Sequence, residues 1–254
     1  MTNKQQSQKH LFSFYSPGLI QASWNSGSVV WLDHQDLVHR LIKVVKVEID
    51  DQLIVFDKQH HVLIQILSVL KKEIQARVLS VQANVSLHPK ITFLLPLLKK
   101  EALEQAIYSL CEIGVSEIRL VVTEKSRQAL LPPAKELERL RNIVVAAAEQ
   151  SKNYVFPELV EPKKLPDVAA DLSIAPLFSS SFKIVFDASG VSFFDIRQKQ
   201  TQQWVVLLVG PEGGLTAEEL SVLKNHNFQM CALTQTTLRA IQAVAVSAAL
   251  FRLS

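Results

Sequence analysis

Three of the seven glycines in this 254-residue chain fall within Gly210-Pro-Glu-Gly213-Gly214, between the apolar run Trp204 to Val209 and the segment Leu215-Thr-Ala-Glu-Glu-Leu220. The apolar run is short, continuous and β-branched, which predicts a buried strand. Thr216 followed three residues later by Glu219 predicts a capping box opening a helix. The glycines therefore sit in a turn at a strand's C-terminal end. In an open α/β sheet that is where ligands bind, and glycine admits both φ > 0 and close approach to bare backbone. The loop has neither the Lys-Ser/Thr ending of a triphosphate loop nor the G-x-G-x-x-G of a dinucleotide fold, which disfavours both ligands. A tight turn without a ligand is the bland alternative.

Upstream, the texture divides in two. Val29 to Leu32, Lys43 to Ile49, Gln52 to Phe56, His61 to Leu67 and Gln75 to Val81 are short runs, several alternating apolar with polar, as half-buried antiparallel strands do. Asp50-Asp51 and Asp57-Lys58 supply turns. Residues 1–85 are therefore expected to form a small β-barrel. From residue 86 to 254, strands and helices alternate: a strand at Ile91 to Leu95, a helix at Lys99 to Ile113 stopped by Gly114, and a strand at Glu117 to Val122. A helix at Ala134 to Ser151, strands at Lys183 to Phe186 and Trp204 to Val209, and an Ala-rich helix at Ala240 to Leu253 follow. That order predicts an α/β domain with a parallel sheet. The stretch Phe156 to Ser181, with prolines at 157, 162, 166 and 176, is read as irregular.

Charge leaves the partner open: a net +3 is compatible with RNA without requiring it. Cys111 and Cys231 form neither a disulfide framework nor a metal spacing, and the scattered histidines give no metal site, so a reducing cytoplasm and no metal are expected. Ser16, Pro17 and Gly18 interrupt the N-terminal apolar stretch, so no targeting segment is expected. No window approaches the roughly 18 to 20 apolar residues of a membrane span.

Val206 to Leu220, with Leu233 and Leu238-Arg239 ahead of the Ala-rich helix, resembles the SPOUT methyltransferases, specifically the RsmE-type enzymes that methylate N3 of a uridine in 16S ribosomal RNA. Glu112-Ile-Gly-Val115, Thr123-Glu-Lys-Ser126 and Ala147-Ala-Glu-Gln150 with Pro157-Glu158 are similar to further motifs of that family, in the same order. Val44-Val-Lys46 and Val55-Phe-Asp57 resemble its PUA-like barrel. The resemblance implies an N-terminal PUA-like barrel, a C-terminal SPOUT α/β domain with a deep trefoil knot, a homodimer, and S-adenosylmethionine as cofactor. Its RNA target would be met within the small ribosomal subunit. It overrides the general rarity of knots.

Carried over residue by residue, the resemblance assigns cofactor contacts to Leu208, Gly210, Glu212, Gly213, Gly214, Leu233, Leu238 and Arg239. The first knot loop would be Asp187-Ala-Ser189. Arg239 is the candidate electrostatic stabiliser and Glu212 the nearest carboxylate for the N3 proton. A cation at a helix start lies at the wrong end of the dipole for structural benefit, which favours a functional role for Arg239. Glu149 and Gln150 would shape the substrate side, although the same residues also read as a polar helix end. Arg40, Lys43 and Lys46 would touch RNA phosphates, positioning without reading sequence, or form a solvated face. The chain departs from the family pattern at Ser109, Lys152, Asn153, Thr234 and Ile241, the last replacing a glutamate. A catalytically impaired member acting in RNA binding or ribosome assembly, and a SPOUT ribose 2′-O-methyltransferase, are the competing readings.

Overall fold

Side chains that alternate along Val62 to Ile66 and Ile74 to Val78 organise the first sheet. The structure, a computed structural model, describes residues 11–126, 132–178, 180–193 and 203–252. It divides into a unit of residues 1–85 with 148–155 and a unit of residues 86–147 with 156–254. In the first unit, β1 (Ser13–Tyr15), β2 (Val29–Leu32), β3 (Gln52–Phe56), β4 (His60–Val69) and β5 (Ile74–Ala83) form one sheet in the order β1-β3-β4-β5-β2. β3, β4, β5 and β2 pair antiparallel, while β1 joins β3 in parallel. One face of β4 and β5 is fully buried through Val62, Ile64, Ile66, Ile74, Ala76 and Val78. Together with Leu32, Leu41 and Leu53 they form the core of this unit.

The run Lys43 to Ile49 is not the expected strand. Helix α1 (Gln35–His39) continues into a π-helical turn at Arg40–Val45, closed by Lys46 with a left-handed φ of 58°. Leu37, Val38 and Leu41 are all buried, a helical spacing that anchors this segment to the core. Farther on, Val45 and Val47 pack only partly against the core, and Val44 is 70% and Ile49 62% exposed.

The second unit contains β6 (Lys90–Pro96), α2 (Lys100–Ile113), β7 (Glu117–Val122), most of α3 (Ala134–Ser151), β8 (Glu158–Lys164), α4 (Leu165–Ile174), β9 (Phe182–Ser192), β10 (Trp204–Val209), α5 (Ala217–Asn225), β11 (Gln229–Ala232) and α6 (Ala240–Ala249). The strands order as β11-β9-β10-β6-β7-β8 and every neighbouring pair is parallel. Parallel strands covered on both faces read as continuous apolar runs, and Val205 to Leu208 are all buried. α2 ends at Gly114 with φ 83°, the left-handed cap that glycine adopts without cost from a Cβ.

Within the stretch Phe156 to Ser181, residues 158–174 are regular, not irregular, as β8 and α4. Pro162 lies in β8, an edge strand, and the ladder with β7 slips between Arg119 and Val121 near this proline. Pro166 lies at the start of α4, where a missing N–H costs no helix bond. The last helix ends at Ala249, and Leu253 lies outside the described residues. Among the described residues, no helix is long and apolar enough to cross a membrane.

Candidate functional site

The sheet order places the site. From β6 the chain moves outward through β7 to β8, then crosses to β9 on the far side of β10, so the order reverses between β6 and β10. The carboxyl ends of strands beside such a reversal form a crevice. The segments that follow β6, β10 and β11, together with the middle of β9, line one cleft of about 880 Å3.

The glycine loop follows β10. Gly214 donates its N–H to the Pro211 carbonyl at 2.8 Å and adopts φ +70°. A Cβ added at Gly210 would lie 3.4 Å from the Gly214 backbone, so the loop folds back on itself. A Cβ at Gly213 would meet the Lys125 side chain at 3.3 Å. The expected capping box holds the helix start: Glu219 N–H donates to Thr216 Oγ1 at 3.2 Å, and Thr216 N–H donates to Glu219 Oε2 at 2.9 Å. The other carboxylate oxygen, Oε1, accepts the Glu124 N–H at 2.8 Å. One buried glutamate thus ties α5 to the loop after β7, charge-assisted bonds being the stronger kind.

β9 and β11 supply two further walls. The pairing of β11 moves from Val185 to Val191 in one step, at Met230 and Cys231, so residues 186–190 bulge out of the ladder. Phe186, Asp187 and Ala188 in this bulge line the cleft. The expected loop at Asp187 to Ser189 is therefore extended strand whose middle is unpaired with β11, because β11 is only four residues long and grips β9 on either side of it. Asp187 Oδ1 accepts from Ser189 N–H at 2.9 Å and Ser189 Oγ at 2.6 Å, which fixes the bulge. After β11, Leu233 to Arg239 completes the wall.

Gly210, Glu212, Gly213, Gly214, Leu233, Leu238 and Arg239 all line the cleft, as do Thr234 and Ile241. Leu208 does not; its side chain is fully buried in the sheet core beside Leu94 and Val206. Arg239 is the N-cap residue of α6, and its Nε donates to Gln242 Oε1 at 3.1 Å. The first turns of α2 add Lys99, Glu101 and Gln105 to the lining, a wall missed in the sequence. The signal was available: β6 is a parallel strand, and its C-terminal end carries the same expectation as that of β10.

Arg40, Lys43, Lys46, Glu149 and Gln150 belong to the first unit. There Glu149 receives a bidentate pair from Arg40, Nη1 to Oε1 at 2.9 Å and Nη2 to Oε2 at 2.5 Å, and the Tyr15 N–H at 2.9 Å. Ser13 Oγ donates to its main-chain oxygen. The hydrogen bonds that Arg40 donates to Glu149 raise its pKa above the ordinary value despite partial burial. The Arg40 charge is thus already balanced, whereas Lys43 and Lys46 are solvent-exposed.

Among the described residues, no cluster of His, Cys, Asp and Glu could hold a metal ion. Burial pushes the Cys111 thiol up to about 12 and the Cys231 thiol up to about 11, so both are protonated thiols at neutral pH rather than nucleophiles.

With this geometry in place, comparison with known proteins is informative. A family model described as RNA methyltransferase domain matches residues 86–252. The chain is 29% identical over 168 residues to ribosomal RNA small subunit methyltransferase E of Synechocystis, an alignment covering 63% of this chain and about half, 52%, of that protein. It is 24% identical over 223 residues to the Rickettsia conorii protein of the same name, covering 87% of each. Among solved structures, that of Neisseria gonorrhoeae ribosomal RNA small subunit methyltransferase E bound to S-adenosyl methionine superposes with a TM-score of 0.81, covering 96% of this chain and 98% of that one at 24% identity.

Proposed function

The chain belongs to the RNA methyltransferase domain family, and from that premise we propose that it transfers a methyl group from S-adenosylmethionine to N3 of a uridine in small-subunit ribosomal RNA. The observation that carries this reading is the convergence of the glycine loop, the Leu233 to Arg239 loop and the β9 bulge on one cleft. Its volume lies within the roughly 300 to 1,000 Å3 usual for ligand pockets. The bare backbone at Gly210, Gly213 and Gly214 gives the close approach a nucleoside needs, and the main chain at Leu233 and Leu238 would hold its adenine. Bound there, S-adenosylmethionine supplies an electrophilic sulfonium methyl.

The chain's own task is to make N3 nucleophilic and to aim it. Uridine N3 carries a proton at neutral pH, and its loss spreads negative charge over O2 and O4. Gln242 takes only the Nε of Arg239. Among the described residues both Nη groups are left to stabilise that oxyanion, as donors aimed where the charge develops. Glu212 accepts the proton, with Glu101 a second carboxylate in the same cleft. Holding donor and acceptor in line supplies much of the remaining rate. The reading includes the trefoil-knotted SPOUT arrangement for residues 86–254, a PUA-like barrel for residues 1–85, a homodimer and a cytoplasmic setting in which assembled small subunits are the substrate.

The test is methyl transfer from isotopically labelled S-adenosylmethionine to small ribosomal subunits, followed by digestion to nucleosides. Label in N3-methyluridine is expected. Label in a 2′-O-methylnucleoside would move the target to ribose. Cofactor binding without transfer would identify an impaired member, with Ile241 in the cleft as the reason.

A further inference from the structure

The described lining of the cleft is charged against the rest of the chain. Lys99 and Arg239 share it with Glu101, Asp187 and Glu212, two cations with three carboxylates, in a chain whose net charge is +3. Glu101 and Glu212 are exposed, and among the described residues no hydrogen bond fixes either carboxylate. Asp187 is different. Its Oδ1 accepts from the Ser189 N–H at 2.9 Å and from Ser189 Oγ at 2.6 Å, so a short side chain is held in one orientation. Oδ2 takes no hydrogen bond among the described residues.

The sheet sets where this carboxylate stands. Phe186 is the last residue of β9 to pair with β10, and pairing with β11 lapses between Val185 and Val191. Asp187 therefore lies just past the ladder on both sides. Because β9 runs between β11 and β10, Asp187 stands between the Leu233 to Arg239 loop and the glycine loop. Neighbouring strands are about 4.8 Å apart, so a ligand spanning the two loops passes within the ~8 Å Debye length of physiological salt from Asp187.

Methyl transfer changes the charge of the cofactor. N3 attacks the methyl carbon and the C–S bond breaks with its electrons left on sulfur, so a positive sulfonium becomes the neutral thioether of S-adenosylhomocysteine. Contacts to the adenine, ribose and amino-acid parts that donor and product share cannot tell the two apart, whereas a fixed charge can. We infer that Asp187 sets the site's preference for the sulfonium donor over the thioether product. Because Ser189 orients the carboxylate before any ligand arrives, little side-chain ordering is left to oppose binding. The attraction ends when the charge leaves, so the residue that helps recruit the donor does not hold the product. It stabilises the bound donor rather than the transition state, and its effect belongs in the cofactor KM and in product inhibition rather than in kcat. The inference rests on the proposed cofactor and adds how the site tells it from its product.

The test is calorimetric titration of S-adenosylmethionine and of S-adenosylhomocysteine into the full chain and into Asp187→Asn. The amide keeps an Oδ1 for both Ser189 donors and removes the charge alone, so the bulge stays as it is. Affinity for the donor is expected to fall about 5-fold in the variant and affinity for the product by less than about 2-fold, the upper end for a charge pair that water still reaches. Added salt should narrow the donor preference of the unaltered chain and leave that of Asp187→Asn unmoved. Ser189→Ala, which releases the carboxylate from its fixed orientation, should lose part of the preference. An equal loss of both ligands in Asp187→Asn would overturn the inference by making the carboxylate a contact to a shared part such as the ribose hydroxyls. A donor-to-product ratio that Asp187→Asn does not move, with both ligands bound by the unaltered chain, would overturn it while leaving the cofactor reading in place. Binding of neither ligand to the unaltered chain would overturn both.

Discussion

An Arg239→Ala variant is expected to lose about 10²- to 10³-fold in kcat/KM for methyl transfer, the usual cost of removing one donor to a developing oxyanion. Its affinity for S-adenosylmethionine should change by only a few-fold. The split follows from the geometry. Arg239 is the N-cap residue of α6 but makes no side-chain capping bond, so its removal leaves the helix end as it was. Its tie among the described residues is the single Nε bond to Gln242, a surface contact of small structural worth. A charge placed at the positive end of a helix dipole gains nothing from the helix. The fold therefore does not depend on this guanidinium, whereas charge developing on O2 and O4 does. Steady-state kinetics with calorimetry on the same variant reads both halves. An unchanged rate would remove Arg239 from the chemistry, and a rate loss matched by an equal loss of cofactor affinity would make it a binding residue.

The largest structural effect is expected at Gly190. An added Cβ there would lie 2.4 Å from the Cys231 nitrogen, 2.5 Å from the Met230 carbonyl carbon and 2.6 Å from the Cys231 Cα. These are backbone atoms of β11 and cannot turn aside as a side chain would. Gly190→Ala must open the β9 and β11 ladder where pairing resumes after the bulge. Overpacking of this kind costs about 3 kcal/mol, which for a chain of this size lowers Tm by roughly 6 to 12 °C. β9 and β11 also lead into two walls of the cleft, so cofactor affinity should fall with stability. Thermal unfolding followed by circular dichroism checks the first effect, and a Tm within about 2 °C of the unaltered chain, less than 1 kcal/mol, would contradict the packing described here.

Gly190 shows what the sequence does not reveal. The crowding it relieves comes from residues some 40 positions later, and no local pattern announces it. Gly210 to Gly214 were legible because a buried strand precedes them and a capping box follows, both signals lying within a few residues. The same holds for α2, β7 and β10, whose periodicity and punctuation are local. Half of Glu219 was legible, its bond to Thr216; the bond to Glu124 brings together residues 95 apart. Lys43 to Ile49 misled because alternation predicts a strand only where one face is buried, and here the buried residues are Leu37, Val38 and Leu41. Pro162 and Pro166 misled because proline breaks a central strand or a helix interior, yet it is tolerated at a sheet edge and in a first helical turn. The α2 wall had a local signal, the C-terminal end of a strand ahead of a helix start, but that this end lies beside β10 follows from strand order, which the fold supplies.

The central claim is that this cleft holds S-adenosylmethionine, and calorimetric titration of the unaltered chain beside Gly213→Arg tests it most directly. Gly213 is outside the left-handed region of φ and lines the cleft, and the three atoms nearest an added Cβ all belong to the flexible Lys125 side chain. The variant should therefore fold while filling the site. The account predicts saturable binding to the unaltered chain and none to Gly213→Arg. Absence of binding to the folded, unaltered chain, or equal binding to both, would contradict it.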